Sequence, residues 1–448
     1  MRSAVLLAYR RVMSWAPIEK DAFLYLCATA FAVANAGAAI AADYREWGQM
    51  AGVTYGVGAV ICGAVALLAR RGTIRASTVS LVRRIVVAAV ILGAVVTPLV
   101  AEIIWRADAR PGANAQSEVA VIERAGDRLA KGESPYLAHP TTVGVSPRTD
   151  AKSIDANSFY PYLPGMAPFG LANAAAGPPE LIDARVTLAG FTLVVAAMAL
   201  LVRGATVGRR GRALQFLVAL PSGALPMVTG GDDMPVLVLM LAGLVLVAKR
   251  RPVAAGLVLG CAATLKFTAW PVLILMLIAI RDRDDRPAPW RYAISAALVA
   301  VPVIAVGFVT SPGAFVENVI RFPLGLTSVT SPAASPLLGE VLVRTFPDHR
   351  RLIIAVLVLF GLALVAYGLK RWTPRTPAQV VRFTAWAMLL ATLLAPATRF
   401  GYLMYPANLF VWAYLLDGYA EARAAAAGRV AARGPALLTG PVGALAPG

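Results

Sequence analysis

Acidic residues are scarce in this 448-residue chain, with 24 Asp and Glu against 42 Lys and Arg, a formal net charge of +18. Cysteine is scarcer still. Cys27, Cys62 and Cys261 all fall within apolar runs, which excludes a disulfide framework or thiolate metal centre and leaves them as small packing residues. Histidine occurs twice, at His139 and His349. No six-plus-six internal repeat is visible, although many secondary transporters are built from such repeats.

Apolar residues are abundant instead. They make up 58% of the chain, with a mean hydropathy of +0.69, where soluble domains hold about 45–50%. Twelve apolar segments stand out, at residues 22–42, 51–69, 84–105, 183–202, 213–229, 234–249, 252–265, 268–281, 292–311, 351–369, 380–396 and 401–418. Most are near the length of a membrane-crossing helix. The fold class is therefore all-α, a polytopic membrane protein with about 12 transmembrane or re-entrant helices. The short pair 252–265 and 268–281 reads as a hairpin or as one helix kinked near Lys266 and Pro271. Basic residues on both flanks, Lys249 to Arg251 and Arg281 to Arg291, favour the hairpin.

The charge is sorted between the connecting loops. The N-terminus, the loops around residues 70–84, 203–212, 249–251, 281–291 and 370–382, and the C-terminal tail hold 27 of the 42 basic residues and, with Asp417 at the end of the last apolar segment, 7 of the 24 acidic ones. The positive-inside rule puts this set, and both termini, in the cytoplasm. The net charge is thus a topology signal and gives no reason to expect nucleic acid as a partner. The run ending Ala39-Ile40-Ala41 looks superficially like a signal-peptide cleavage site, but it is longer than a usual signal core, so an uncleaved anchor is expected.

Two outward loops are long. Residues 106–182 contain SEVAVIERAGDRLA, with Val119, Ile122, Gly126 and Leu129 at helical spacing, which predicts an amphipathic helix over 117–130 lying at the membrane surface. FYPYLPGMAPFG at 159–170 predicts a turn-rich return to the bilayer. The second loop spans 312–350, and two short elements, TGGDDMP at 229–235 and LAPATRFGYLMYP at 394–406, complete the same face. Four parts of the chain bring polar groups to one surface, where a site is expected.

GESPYL (132–137), FYPYLPGMAPFG, TGGDD (229–233), GLVLGCAATLKFTAWPVLIL (256–275), ENVIRFPLG through SPAASPLLG (317–339) and LAPATRFGYLMYP resemble the actinobacterial branch of glycosyltransferase family 87. That family belongs to the GT-C membrane glycosyltransferases. The resemblance covers residues 85–418. It divides the chain into an N-terminal segment with two extra spans (1–84), a catalytic membrane domain (85–418) and an Ala/Gly/Pro-rich tail (419–448). It implies transfer of a sugar, usually mannose, with arabinose and glucose open. The donor is a polyprenyl-phosphate sugar, the acceptor a lipid or glycan, and the reaction inverts the anomeric carbon on the outer face of the cytoplasmic membrane. Membrane lipids, donor and acceptor are the implied partners, and no cofactor is required.

An inverting transfer needs a carboxylate that takes the proton of the attacking hydroxyl. The resemblance places this base at Glu118, where the family more often has Asp, or at Asp108, just past a span. Cations must meet the leaving phosphate. Arg399 and Lys266 are the leading candidates, because a lysine at a break within apolar segments is costly unless used; it has a structural alternative in pairing with Asp232 or Asp233. Arg321, His349 and Arg350 are weaker phosphate candidates. Tyr160, Tyr162, Asp232, Asp233 and Tyr402 are candidates for sugar or acceptor contacts. Asp232 and Asp233 are a weak divalent-metal signal, so helix capping or sugar binding is preferred and no metal site is expected. Arg106, Glu102 and Asp183 are expected to form a structural charge network. Two other classes stay open: a secondary transporter or lipid flippase, and a non-catalytic envelope assembly protein.

Overall fold

The computed structural model describes residues 14–108, 115–136, 157–176, 182–281, 287–327, 329 and 331–433; His139 lies outside them. Among the described residues the chain is helical, with two isolated β-bridges and no sheet. All twelve apolar segments are mainly helical. Among the described residues seven helices are long and apolar enough to cross a membrane: α1 (Pro17–Ala38), α2 (Ala42–Arg70), α3 (Ala76–Ala107), α5 (Ala184–Leu201), α11 (Ala288–Thr310), α12 (beginning at Pro347 with a short 3-10 turn and ending at Trp372) and α13 (Pro377–Leu394). The amphipathic segment forms α4 (Ser117–Ala130).

The other apolar segments differ from simple spans for local reasons. Residues 213–229 were expected as one span, but the chain forms α6 (Val207–Leu214), a π-turn at Gln215–Ala219, an extended residue at Leu220 and then α7 (Pro221–Thr229). Pro221 has no N–H to continue the ladder, and its ring disfavours a helical residue before it. Helix α8 (Asp233–Ala248) is apolar all round, and all but two of its residues are buried, so it forms the centre of the bundle. Helix α14 (Met404–Arg433) begins apolar and ends in charged turns.

Helices α9 (Pro252–Leu265) and α10 (Trp270–Arg281) form a hairpin. The glycines of α9 set it directly against α11, Gly256 beside Tyr292 and Ser295 and Gly260 beside Ala296, so the two run in the same direction. The connection from Arg281 to Ala288 is too short, at about 3.5 Å per residue, to return from a helix that had continued onward. Helix α10 therefore turns back, and Tyr292 Oη donates to Leu273 O at 2.8 Å.

The basic loops gather at one end of the bundle. Arg70 meets Glu19 at 2.5 Å, Arg212 meets Asp21 at 2.8 Å, Arg209 meets Glu421 at 2.9 Å, and Lys249 Nζ donates to Arg203 O at 3.1 Å. At the opposite end Gln116 N donates to Thr229 O at 3.0 Å, and Leu163 N donates to Leu265 O at 3.1 Å. Among the described residues, the charge-sorted loops thus lie at the two ends of the bundle.

Helix α4 packs one face against protein. Val119, Val121, Ile122, Glu123, Ala125 and Gly126 are buried, while Leu129, expected on the apolar face, is exposed. The reason is a glycine contact. A Cβ on Gly126 would lie 2.2 Å from Gly170 C, so α4 rests backbone to backbone on the 3-10 turn Pro164–Gly170. Arg106 clamps the arrangement, pairing with both oxygens of Glu123 at 2.8 and 2.7 Å and with Asp183 at 3.1 Å. Arg185 also pairs with Asp183, at 2.7 Å. Glu102, expected in this network, accepts from Arg185 through its backbone carbonyl at 3.4 Å.

The α1/α2 pair is bound to the rest of the bundle. Trp47 Nε1 donates to Ala94 O at 2.9 Å, within a π-turn of α3, and Tyr55 Oη donates to Ala219 O at 2.7 Å, within the π-turn before Leu220. Cys62 is buried as expected, whereas Cys27 is exposed.

Gly126→Ala forces α4 off the turn beneath it and is expected to cost about 1–3 kcal/mol, the usual range for overpacking. Gly190, in α5, has open space around its Cβ position, so Gly190→Ala serves as the control. Thermal unfolding in detergent should show a lower midpoint for Gly126→Ala only; equal midpoints would remove the contact from the fold's support.

Candidate functional site

At the end opposite the basic loops, the described residues line an open cavity of about 1250 Å³. Glu118, Asp232, Asp233, Lys266, Arg399 and Tyr402 all line it, although they come from four distant stretches of chain. Each sits at a helix end or break. Glu118 is in the first turn of α4, where exposed backbone N–H groups favour a carboxylate. Asp232 precedes α8 after Gly230, whose φ of 105° is a left-handed conformation and whose Cβ would lie 2.0 Å from Val119 Cγ2. Only glycine fits there. Lys266 is extended between α9 and the 3-10 turn Phe267–Ala269. Arg399 precedes the 3-10 turn Phe400–Leu403, in a segment pinned by Thr398 N donating to Ala333 O and Ser335 N donating to Thr398 O, both at 2.9 Å.

The charges form two ion-paired groups. Arg399 Nη1 meets Glu118 Oε1 at 2.5 Å, and Ser117 Oγ donates to the other carboxylate oxygen at 3.1 Å. Lys266 Nζ lies between Asp232 at 2.7 Å and Asp233 at 2.6 Å, and 5.1 Å from the centre of the Tyr162 ring. The structural alternative for Lys266, pairing with the two aspartates, is therefore present. Asp232 occupies the N-cap position but makes no side-chain capping bond, so the capping expectation is not met.

Burial alone would raise the Glu118 carboxyl, but the adjacent Arg399 guanidinium outweighs it and holds the group below the usual carboxylate range. Arg399 is in turn raised above its ordinary value, chiefly by Glu118. Burial pushes Asp232 up to about 6 against the opposing pull of Lys266, with Asp233 adding to the rise. With all five ionised, two cations face three carboxylates, so this end of the cavity is electrostatically closed at rest.

Only one of the remaining candidates joins this lining. Tyr162 lines the cavity, whereas Tyr160 is buried behind its wall, its N–H donating to Asn318 Oδ1 at 2.7 Å. Asp108 is an exposed residue at the end of α3 and is not part of the lining. Arg321 is half-exposed and pairs with Glu317 at 2.9 Å. His349 and Arg350 line a separate, smaller pocket with Gly325 and Thr327. Among the described residues no cluster of His, Cys, Asp and Glu could hold a metal ion.

Sequence reasoning missed the groups behind the charges. Tyr405 Oη donates to Asp233 Oδ1 at 2.6 Å, and Thr268 Oγ1 donates to Tyr405 Oη at 2.8 Å. Tyr44, from the start of α2, lines the cavity and is bonded to Gln116 beside Glu118. The aromatic residues around Arg399 were visible as a signal for Tyr405; nothing in the sequence pointed to Tyr44.

The sequence model of glycosyltransferase family 87 matches residues 161–396, just over half of the chain. The chain belongs to glycosyltransferase family 87. It is accordingly a membrane glycosyltransferase, in keeping with the GT-C assignment and the all-α polytopic fold. No curated protein and no solved structure matches it. Within this family-87 chain, Tyr162, Asp232, Asp233 and Lys266 fall inside the matched segment, and Glu118 and Arg399 lie on either side of it.

Removing either partner of the Glu118 and Arg399 pair leaves a partly buried charge without its counter-ion, so each single change to Gln should destabilise the protein by about 1–3 kcal/mol. The double variant should lose less than the sum. Additive losses in detergent unfolding would mean that the pair does not act as one unit. Because the folded carboxyl lies below its unfolded value, its contribution is full above the usual carboxylate range and fades as pH falls through the folded value. Glu118→Gln should lack that acid-side loss.

Proposed function

We propose that this cavity transfers a sugar, most simply mannose, from a polyprenyl-phosphate donor to a hydroxyl of a lipid or glycan acceptor, with inversion, on the outer face of the cytoplasmic membrane. The observation that carries the reading is the Glu118 and Arg399 pair: a carboxylate and a guanidinium in contact within one cavity, in a family of glycosyltransferases. Arg399 meets the phosphate of the donor. A planar guanidinium binds two phosphate oxygens at once and suits a leaving group that gains charge as the glycosidic C–O bond breaks. Glu118 takes the proton of the acceptor hydroxyl as its oxygen bonds to the anomeric carbon, and the C–O electrons leave with the phosphate.

The resting pair makes the order of events matter. A carboxylate held by Arg399 is a weak base, so the donor phosphate must draw Arg399 away before Glu118 reaches useful basicity. Lys266 adds positive charge beside the phosphate, while Asp232, Asp233 and Tyr402 are placed to contact sugar hydroxyls. Between the two candidate bases, the cavity lining favours Glu118 over Asp108.

Glu118→Gln keeps the shape of the side chain and removes its basicity, so turnover of a polyprenyl-phosphate mannose donor should fall by roughly 10²–10⁴-fold, while donor binding is kept or tightened because Arg399 is no longer held by a carboxylate. Asp108→Asn should retain activity. An active Glu118→Gln enzyme beside an inactive Asp108→Asn enzyme would transfer the role to Asp108.

The outward orientation rests on the charge sorting of the loops. In a cysteine-free background, Gly313→Cys should react with a membrane-impermeant thiol reagent on intact cells and Gly208→Cys only after permeabilisation. The reverse pattern would place the cavity in the cytoplasm.

A further inference from the structure

One face of α1 forms a wall of the cavity. Leu24, Cys27, Ala28 and Phe31 line it, at the i, i+3, i+4, i+7 spacing that stacks side chains along one side of a helix. The facing wall is the break before α7, with Leu220, Pro221 and Leu225. The polar groups sit at helix ends, whereas Leu24 lies two turns before Phe31 on a membrane-spanning helix. The stripe thus descends about 10 Å from Phe31 to Leu24, at 1.5 Å per residue. It is not sealed by protein: Cys27 is exposed and Phe31 is 45% exposed. The cavity therefore joins an ion-paired polar end, where Arg399 and Lys266 are held by Glu118, Asp232 and Asp233, to an apolar groove that follows the axis of a transmembrane helix.

We infer that the groove between α1 and the α7 break holds the hydrocarbon tail of the phosphate-bearing lipid donor. The inference rests on the donor reading above and adds the residues that read the tail. A lipid phosphate has this distribution of chemistry, an anion next to a long apolar chain, and no single polar glycan can use both parts. Arg399 and Lys266 complement the phosphate, while the stripe lets the tail exchange bilayer contacts for protein contacts without entering water. The stripe also precedes the family-matched segment, so tail selection is assigned to this chain's N-terminal helices.

The full-length protein in lipid nanodiscs should be photolabelled by a polyprenyl phosphate carrying a diazirine in its tail, with the adduct mapping by mass spectrometry to residues 24–31. The same diazirine on polyprenol without phosphate, or on a phospholipid, should label this stretch much less. Cys27→Trp fills the groove, so it should lower the adduct yield and raise KM for a long-chain donor about tenfold, the loss of one or two buried methylenes. Leu26→Trp, on another face of the same helix, should do neither, and matched unfolding midpoints will establish that both variants fold. Equal labelling by the phospholipid would make the groove an ordinary lipid contact and overturn the inference, as would adducts confined to other helices. Labelling of α1 by a tailed acceptor but not by the polyprenyl phosphate would overturn it as well. Sugar transfer with α1 unlabelled would defeat the inference and keep the proposed function, whereas phosphate-dependent labelling without transfer would do the opposite.

Discussion

Five charged side chains crowd one end of a single cavity, and the architecture at that end of the molecule pairs each with another. An isolated charge there is costly. Glu118 is held by Arg399, and Lys266 is shared between Asp232 and Asp233. All five occupy helix ends or breaks, because there a side chain reaches the cavity while its own helix stays packed. Gly230 serves the same end by letting the chain turn into Asp232 directly against Val119. Since the resting groups are already paired, an incoming anion is admitted only by exchanging one partner for another, which ties binding to a change in the catalytic carboxylate.

The frame behind these charges is set by close backbone approaches and by interrupted helices. Gly126 and Gly170 bring α4 onto the turn Pro164–Gly170, and Arg106 fixes the result through Glu123 and Asp183. The π-turns of α3 and of the segment before α7 present carbonyls that Trp47 and Tyr55 cap from α2. Through these bonds the N-terminal pair is fastened to the same segment that forms the far wall of the groove, so the relative position of the two walls is defined.

Hydropathy and charge made the helices and the two ends of the bundle legible, since apolar length and loop charge report directly on crossing a bilayer. The cost of an intramembrane lysine drew attention to Lys266, and an arginine beside aromatics did so for Arg399. Their partnerships were harder to read. Glu118 and Arg399 are 281 residues apart in the chain, and no local pattern records such a contact. Arg321, His349 and Arg350 stood beside them as candidates because a cation in an outward loop looks the same whether it faces a cavity or a headgroup. The spacing of α4 shows one apolar face but not what covers it; Gly126, which sets that face on the turn Pro164–Gly170, reads equally well as a weak helix residue. The break at Leu220 was hidden inside an otherwise continuous apolar run.

The most direct test is a structure of the protein with a non-transferable polyprenyl-phosphate sugar bound. The account predicts phosphate oxygens within hydrogen-bond distance of Arg399, the contact between Arg399 and Glu118 opened, and the anomeric carbon turned toward Glu118. A phosphate bound instead beside His349 and Arg350, with the Glu118 and Arg399 pair intact, would contradict it.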